Sequence, residues 1–561
     1  MPEHNHSPRA VAKAVAVALA FLATLALYAH IQVTGFNAGT NEKDCEGYVI
    51  LGKRLAAGEP VGRVETVPFK HINHVWVENG RGELLPKYAP GYPFLLGSAF
   101  RLSGGNDDAM FMVNPILGFL TLVGAWFLFR LKLGRFTSLV GSFLLCLHPL
   151  FEAYSGYPLA HAMECAGLVW GFALLGRWAK RPGFATAAGA GLAMGFAVGA
   201  RHTAVLYALP MLTVVAWTIA RIPEKRRAVF SALAMLAVFS VIPALVALYH
   251  WRWFGSPFHS GYFLTGEQQA LKGAYAAENI ATVVNGLSHD CGLMLLALAA
   301  AGIIAAGDRL SRLVAAEWLL VAVAPYLFYY WAPPNTAFTR FFYPVTPLLV
   351  MTALAALEKL LRGSGHRRLL TCAFAAVVIA SWWPDFAKPF WGQPMSAAGR
   401  PHATVGKAIA PHLRDDAVIF LEWPLDTGIG AFRHYETYRI FAFDPGILDQ
   451  EMKPWVEPWL RTGRDRWNRW PIMTQASRRE KLAPLYAELG PAGLRRKQAE
   501  LTAEYLANSN QVAYLMSYAP DPAPRAGLPN DITFTLEPVT NFDIPGYGQW
   551  GLYEARLKTG E

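Results

Sequence analysis

The sequence predicts a polytopic α-helical membrane protein, with about eleven transmembrane helices and a soluble α/β domain at the C-terminal end. Three observations predict it. Long apolar runs recur from residue 11 to residue 383, the short loops carrying Lys and Arg fall on alternating turns of the count, and the chain changes character after 383. A hydrocarbon core needs roughly 20 mostly apolar residues as helix, and tilted or short spans relax that figure.

The apolar runs are 11–32, 110–129, 138–154, 159–176, 184–200, 204–220, 229–251, 292–306, 314–331, 343–361 and 369–383. Two that meet near 199–203 are short, so the count can differ by one pair. The first has a basic lead and also reads as a signal peptide, whose cleavage would leave the remaining topology unchanged.

Orientation follows from basic residues, which short loops keep on the cytoplasmic side. The clusters are Arg130, Lys132 and Arg135; Arg177, Lys180 and Arg181; Arg221, Lys225, Arg226 and Arg227; Arg309 and Arg312; and Arg362, Arg367 and Arg368. All share one face if the N-terminus is cytoplasmic. Loops 34–108 and 252–291 and the tail from 384 onward then lie outside the cytoplasm. The net charge of +10 is spread over these loops and forms no single stripe, which argues against a nucleic-acid partner.

Of the five cysteines, Cys146, Cys165 and Cys372 fall in spans and read as packing residues. Cys45 and Cys291 fall in outward loops, where either a disulfide or two thiols is permitted.

The expected domains are 1–383, including the outward loop 34–108, and 384–561. In the second, 417–421, 439–443, 512–517, 532–536 and 550–556 have strand patterns, and 477–489 and 492–506 have helical spacing. Indoles alternate with basic residues over 455–470, suited to sugar stacking, to a bilayer interface or to a small core. In the first outward loop, DCEGYVILGKRLAAG places Tyr48, Leu51 and Leu55 on one helical face and ends at Gly58, which predicts a short helix on the membrane surface. KYAPGYPFLLG, 87–97, is a proline-punctuated turn into a further apolar stretch.

Ionisable residues near spans are costly and mark function. Asp44, Glu46, His148, Glu152, His161, Glu164, Arg201, His202, Arg252 and Arg340 map to the outward third of the membrane or above it, whereas a transporter more often places such groups near the midplane.

DCEGYVILGKRLAAGEP after the first span, then KYAPGYPFLLG, VNPILGFLTL, YSGYPLAHAM, GFAVGARHTAVLYALP, WFGSPFHSGY and TRFFYPVTPLL follow in that order. In this series residues 10–383 resemble the GT-C superfamily, the multi-span glycosyltransferases that take sugar from a polyprenyl phosphate carrier, including protein O-mannosyltransferases and lipid A aminoarabinose transferases. Many of those enzymes follow the Asp directly with Glu; here Cys45 stands in that place and Glu46 one residue on.

The resemblance implies a donor of polyprenyl-phosphate sugar, an envelope lipid, glycan or protein as acceptor, and an inverting displacement on the periplasmic face. Such a donor already has a competent leaving group, so the protein must supply a base and cations for the departing phosphate. Asp44 is the expected base, with Glu46 as a second acid; capping of the surface helix is the structural alternative for Asp44. Arg201 and Arg340 are the preferred phosphate partners, each interrupting an otherwise uncharged connection, and Lys53, Arg54 and Lys87 follow. Snorkelling to headgroups is the alternative for all five. Tyr88, His161 and His202 complete the candidate substrate site.

No metal site is expected: His161 with Glu164, and His71 with His74, supply only two ligands each. The superfamily itself leaves a divalent cation open. A lipid or sugar transporter, and a polymerase or ligase using a pyrophosphate-linked oligosaccharide, are the competing functions.

Overall fold

The computed structural model describes residues 8–36, 43–64, 75–269, 271–305, 307–329 and 336–391. In the C-terminal region it describes 406, 408–414, 417–421, 436–439, 511–518, 534–544, 548–557 and scattered positions between 484 and 509.

In chain order, α1 (Pro8–Thr34) leads to α2 (Lys43–Ala57), and strands β1 (Arg63–Val64), β2 (Trp76–Glu78) and β3 (Glu83–Pro86) follow. Next come α3 (Gly91–Leu102), α4 (Asp107–Phe111), α5 (Val113–Arg130), α6 (Arg135–Cys146) and α7 (Pro149–Gly156). After these run α8 (His161–Lys180), α9 (Phe184–Ala200), α10 (Ala208–Arg221), α11 (Lys225–Phe254) and α12 (Gly261–Leu264). The remaining helices are α13 (Ala276–Cys291), α14 (Leu293–Ala305), α15 (Arg309–Leu327), α16 (Thr336–Thr339), α17 (Thr346–Leu360) and α18 (Arg367–Trp391). Strands β4 (Val418–Leu421), β5 (Glu436–Arg439), β6 (Ala513–Tyr518), β7 (Phe534–Ile544) and β8 (Gly548–Leu557) close the chain.

The chain divides into two compact units. The first is Met1–Phe36, Met112–Val246 and Lys272–Ser396; the second is Asn37–Phe111, Ala247–Leu271 and Ala397–Glu561.

Each apolar run of the sequence falls on a helix or on abutting helices. Among the described residues, however, six helices are long and apolar enough to cross a membrane, or up to eight if two bent pairs each count once. The bends explain part of the difference from eleven. The run 138–154 breaks by 57° between α6 and α7, and α13 meets α14 at 109°. α9 is a shorter apolar helix, and α8, which carries His161 and Glu164 at one end and Arg177 and Lys180 at the other, is buried along most of its length.

Small residues bring the helices of the first unit into backbone contact, the usual solution where lipid offers no hydrophobic drive. A side chain at Gly191 would collide with the Met235 carbonyl, and one at Gly302 with that of Thr352. Two buried polar groups illustrate pairing across helices: Tyr28 Oη donates to the Pro115 carbonyl at 3.0 Å, and Trp178 Nε1 to Ser231 Oγ at 2.9 Å.

The basic loops gather at one end of this unit. Lys180 Nζ reaches the Leu131 carbonyl at 3.3 Å, Lys132 pairs with Asp308 at 2.6 Å, and Gly134 N and Arg367 meet on Glu358. Arg227 lies against Gly183. Burial pulls the Asp308 carboxyl upward, but Lys132 and the Ser311 amide outweigh it and hold it down to about 2. Cys45 and Cys291 are buried thiols with no disulfide between them.

In the second unit, β1-β3-β2 form a small antiparallel sheet. A mixed five-stranded sheet has the order β5-β4-β6-β8-β7, with β4 parallel to both β5 and β6. Ile419, Tyr514, Met516, Trp550 and Leu552 form its core. The expected strand 532–536 runs on to Ile544 because β7 lies at the sheet edge and absorbs Pro538 in an irregularity between Pro538 and Thr540. The segments 440–443 and 455–470, and His71 and His74, lie outside the described residues.

α2 carries Asp44 and Glu46 in its first turn and Arg54 in its last, matching the helix dipole, and Gly58 at φ 74 ends it. It packs on α3 so closely that a methyl on Gly97 would strike the Gly52 carbonyl. Gly97→Ala should therefore lower stability by about 1–3 kcal/mol, an overpacking cost, whereas Gly80→Ala, open on all sides, should not. Thermal unfolding of the purified protein in detergent checks both.

Candidate functional site

In the second unit the N-terminal turn of α2 presents Asp44 to a group of tyrosines. Tyr48, one turn on, stacks on Tyr88 with centroids 4.3 Å apart and meets Tyr92 edge-on at 5.2 Å. Tyr88 Oη donates to Asp44 Oδ1 at 2.6 Å. Burial, and then the Asp44 charge, push the Tyr88 phenol well above its ordinary range, so it is a permanent donor to the carboxylate. One carboxylate oxygen is thereby fixed, which orients the other. Glu46 is about 200° round the helix from Asp44, so the two acids do not share a face.

Lys87, next in the chain to Tyr88, is held as firmly. Its backbone N–H donates to the Val75 carbonyl at 2.9 Å, an extension of the β2/β3 hairpin. Its ammonium meets Glu267 Oε1 at 2.6 Å, with side chains only 3% and 1% exposed. Thr265 Oγ1 donates to the same oxygen at 3.0 Å, and the Tyr262 ring lies 4.9 Å from the ammonium. Gly261 lets the chain pass over Lys87 at a distance that any Cβ would forbid. Residues 261–267 thus form a clamp on a lysine 180 positions earlier than Glu267.

Lys53 and Arg54, the other two cations expected at the site from the first outward loop, are engaged in structural pairs. Lys53 meets Asp107 at 2.5 Å, while Arg54 meets Glu59 at 3.4 Å and the Pro60 carbonyl at 2.6 Å.

In the first unit the first turn of α8 supplies His161 and Glu164, and the junction after α9 supplies Arg201 and His202. Arg201 Nη1 lies 2.6 Å from His161 Nδ1, Nη2 donates to Tyr326 Oη at 2.7 Å, and Nε lies 3.6 Å from Glu164. A guanidinium has no acceptor, so His161 must accept and is neutral towards Arg201. The Phe341 ring lies 5.1 Å from the Arg201 guanidinium and 5.3 Å from that of Arg340. His202 is half-buried at the start of a 3-10 turn, His202–Tyr207.

Sequence reasoning named Asp44, Lys87, Tyr88, Arg201 and His161 but missed Glu267, Thr265 and Tyr326. Glu267 reads in the sequence as an ordinary loop acid, and only the fold brings it to Lys87. Among the described residues no group of three His, Cys, Asp or Glu is placed to hold a metal.

Removing one partner of a buried ion pair strands the other charge. Lys87→Met should therefore cost about 3–5 kcal/mol, and Lys87→Met combined with Glu267→Met should regain most of it. Chemical unfolding of the three proteins, wild type, single and double, measures this.

Residues 87–246, which begin at Lys87, match the family model described as dolichyl-phosphate-mannose-protein mannosyltransferase. No curated protein sequence matches. Among solved structures, ArnT from Cupriavidus metallidurans in the apo state aligns over 97% of this chain and 98% of its own, with a TM-score of 0.57 at 14% identity. The same protein bound to undecaprenyl phosphate gives 0.53 at 12% identity, over 96% and 98%. Arabinofuranosyltransferase AftD from Mycobacteria gives 0.50 at 15% identity, over 97% of this chain and 42% of that one. In fold and in its matched segment, this chain resembles the GT-C superfamily of polyprenyl-phosphate-dependent glycosyltransferases.

Proposed function

We propose that the protein transfers a sugar from a polyprenyl-phosphate donor to an acceptor of the bacterial envelope, with inversion, on the periplasmic face of the inner membrane. One observation carries the reading: consecutive residues of one clamped segment serve opposite needs of that reaction. Tyr88 orients the Asp44 carboxylate, and Lys87 presents a buried ammonium.

The donor anomeric carbon needs a nucleophile and a leaving group whose charge is held. Asp44 takes the acceptor hydroxyl proton while the acceptor oxygen attacks C1, and the carrier phosphate departs towards a cation. Lys87 is favoured for that cation because it adjoins Tyr88 in the chain. Arg201 and Arg340 remain second candidates, Arg201 with His161, Tyr326 and Glu164 already on its guanidinium. The domain carrying 384–561 and the loop 34–108 would face the periplasm, a reading supported by the meeting of the basic loops at one end of the first unit.

Incubation of the purified protein with labelled polyprenyl monophosphate and pyrophosphate sugars separates the candidate activities. Sugar transfer from a monophosphate donor is expected; accumulation across vesicles without a new glycosidic bond would identify a transporter instead. Asp44→Asn should lower the transfer rate by about 10²-fold or more, the usual contribution of a general base, with stability unchanged. Tyr88→Phe should lower kcat by about tenfold and leave donor KM near wild type, since it loses orientation of the base and no donor contact. For sidedness, Arg81→Cys, at the exposed β2/β3 turn, should react with a membrane-impermeant maleimide in cells whose outer membrane alone is opened. Reaction only after the inner membrane is opened would reverse the orientation.

A further inference from the structure

We propose that Glu267 is a charge-balancing positioning residue that acts through Lys87 to speed release of the spent carrier. The inference rests on Lys87 holding the carrier phosphate.

The ammonium has three N–H donors and Glu267 accepts one, so donors are left for a second anion. Any phosphate brought to Lys87 is thereby brought close to the Glu267 carboxylate, which Thr265 and the Gly261 crossing hold in place.

The reaction changes the charge that this carboxylate sees. The acceptor proton passes to Asp44, the acceptor oxygen bonds to C1, and the C1–O bond to the carrier breaks with its electron pair on the phosphate oxygen. The donor phosphodiester carries one negative charge; the product monoester carries about −1.5 to −2 near neutral pH. Lys87 alone would bind the product more tightly than the donor and stall turnover. The Glu267 carboxylate repels the product roughly twice as strongly as the donor, which offsets that bias.

The test is direct binding, in nanodiscs, of undecaprenyl phosphate and the neutral undecaprenol to wild type, Glu267→Gln and Glu267→Asp. Wild type should prefer the phosphate. Glu267→Gln, which keeps an acceptor for Lys87, should bind the phosphate about tenfold more tightly with undecaprenol unchanged. In turnover its steady-state rate should fall below its own first-cycle rate, because release becomes limiting. Glu267→Asp keeps the charge and should stay within about twofold of wild type. Equal or weaker phosphate binding by Glu267→Gln, or tightening of the same size in Glu267→Asp, overturns the role given to Glu267. Equal binding of phosphate and alcohol by wild type overturns the reading of Lys87 itself.

Discussion

The buried pair between Lys87 and Glu267 is the constraint on which the second unit's candidate site depends. Its two halves come from loops 34–108 and 252–291, separated in sequence by most of the helices. A lysine so deeply enclosed is tolerable only with a carboxylate against it, because an isolated ammonium in that position would cost several kcal/mol. The pair helps to fix residue 87, and residue 88, next in the chain and stacked on Tyr48, is held against Asp44. The ion pair thus contributes both to the placing of the ammonium and to the hydrogen bond on the Asp44 carboxylate.

The same neutralisation recurs at three other buried or half-buried cations among the described residues. Lys53 has Asp107, Arg54 has Glu59, and Arg201 has Glu164 alongside a neutral imidazole and a phenol. A protein at a membrane surface is surrounded by anionic headgroups, which unpaired basic clusters attract at about 1 kcal/mol per residue. Pairing each buried cation keeps such sites near zero net charge. Discrimination then falls to groups that a particular ligand can reach in a fixed geometry, which is what the tyrosine cluster around Asp44 and the clamp around Lys87 provide.

The helical framework was legible in the sequence because apolar length and loop charge are properties of contiguous residues. The runs 11–32 and 229–251 are helices, and the clusters at 130–135, 177–181, 221–227, 309–312 and 362–368 do meet. The count of spans was less legible, because apolar runs do not show where a helix turns: the chain breaks before Pro149, which starts α7, and at Gly292, which stands at φ 78. The short helix at Asp44 and the tail strands at 417–421, 512–517 and 550–556 followed from local periodicity. Glu267 was not legible. Nothing near it distinguishes an exposed loop acid from one 2.6 Å from a buried lysine, and the information lies in the crossing of Gly261 over Lys87. Arg201 and Arg340 drew attention as lone charges in apolar connections, whereas Lys87 sat among other basic residues and stood out less.

The departure at Cys45 becomes intelligible in the same terms. Successive helical residues turn by about 100°, so only one of three consecutive positions on α2 faces Tyr88, and Asp44 occupies it. Cys45 is fully buried, where a small apolar thiol suits the packing and a carboxylate would need a partner of its own. Glu46 points to a third direction and is itself largely enclosed. An acid pair is useful when two carboxylates must share a cation or a proton. With the phenol of Tyr88 bonded to Asp44, a single acid would meet the demand of the proposed reaction, whose leaving group needs no protonation. The chemistry proposed for this site needs one base, one oriented hydrogen bond and one balanced cation; α2 carries Asp44, the consecutive residues Lys87 and Tyr88 carry the other two, and Glu267 carries the balancing charge.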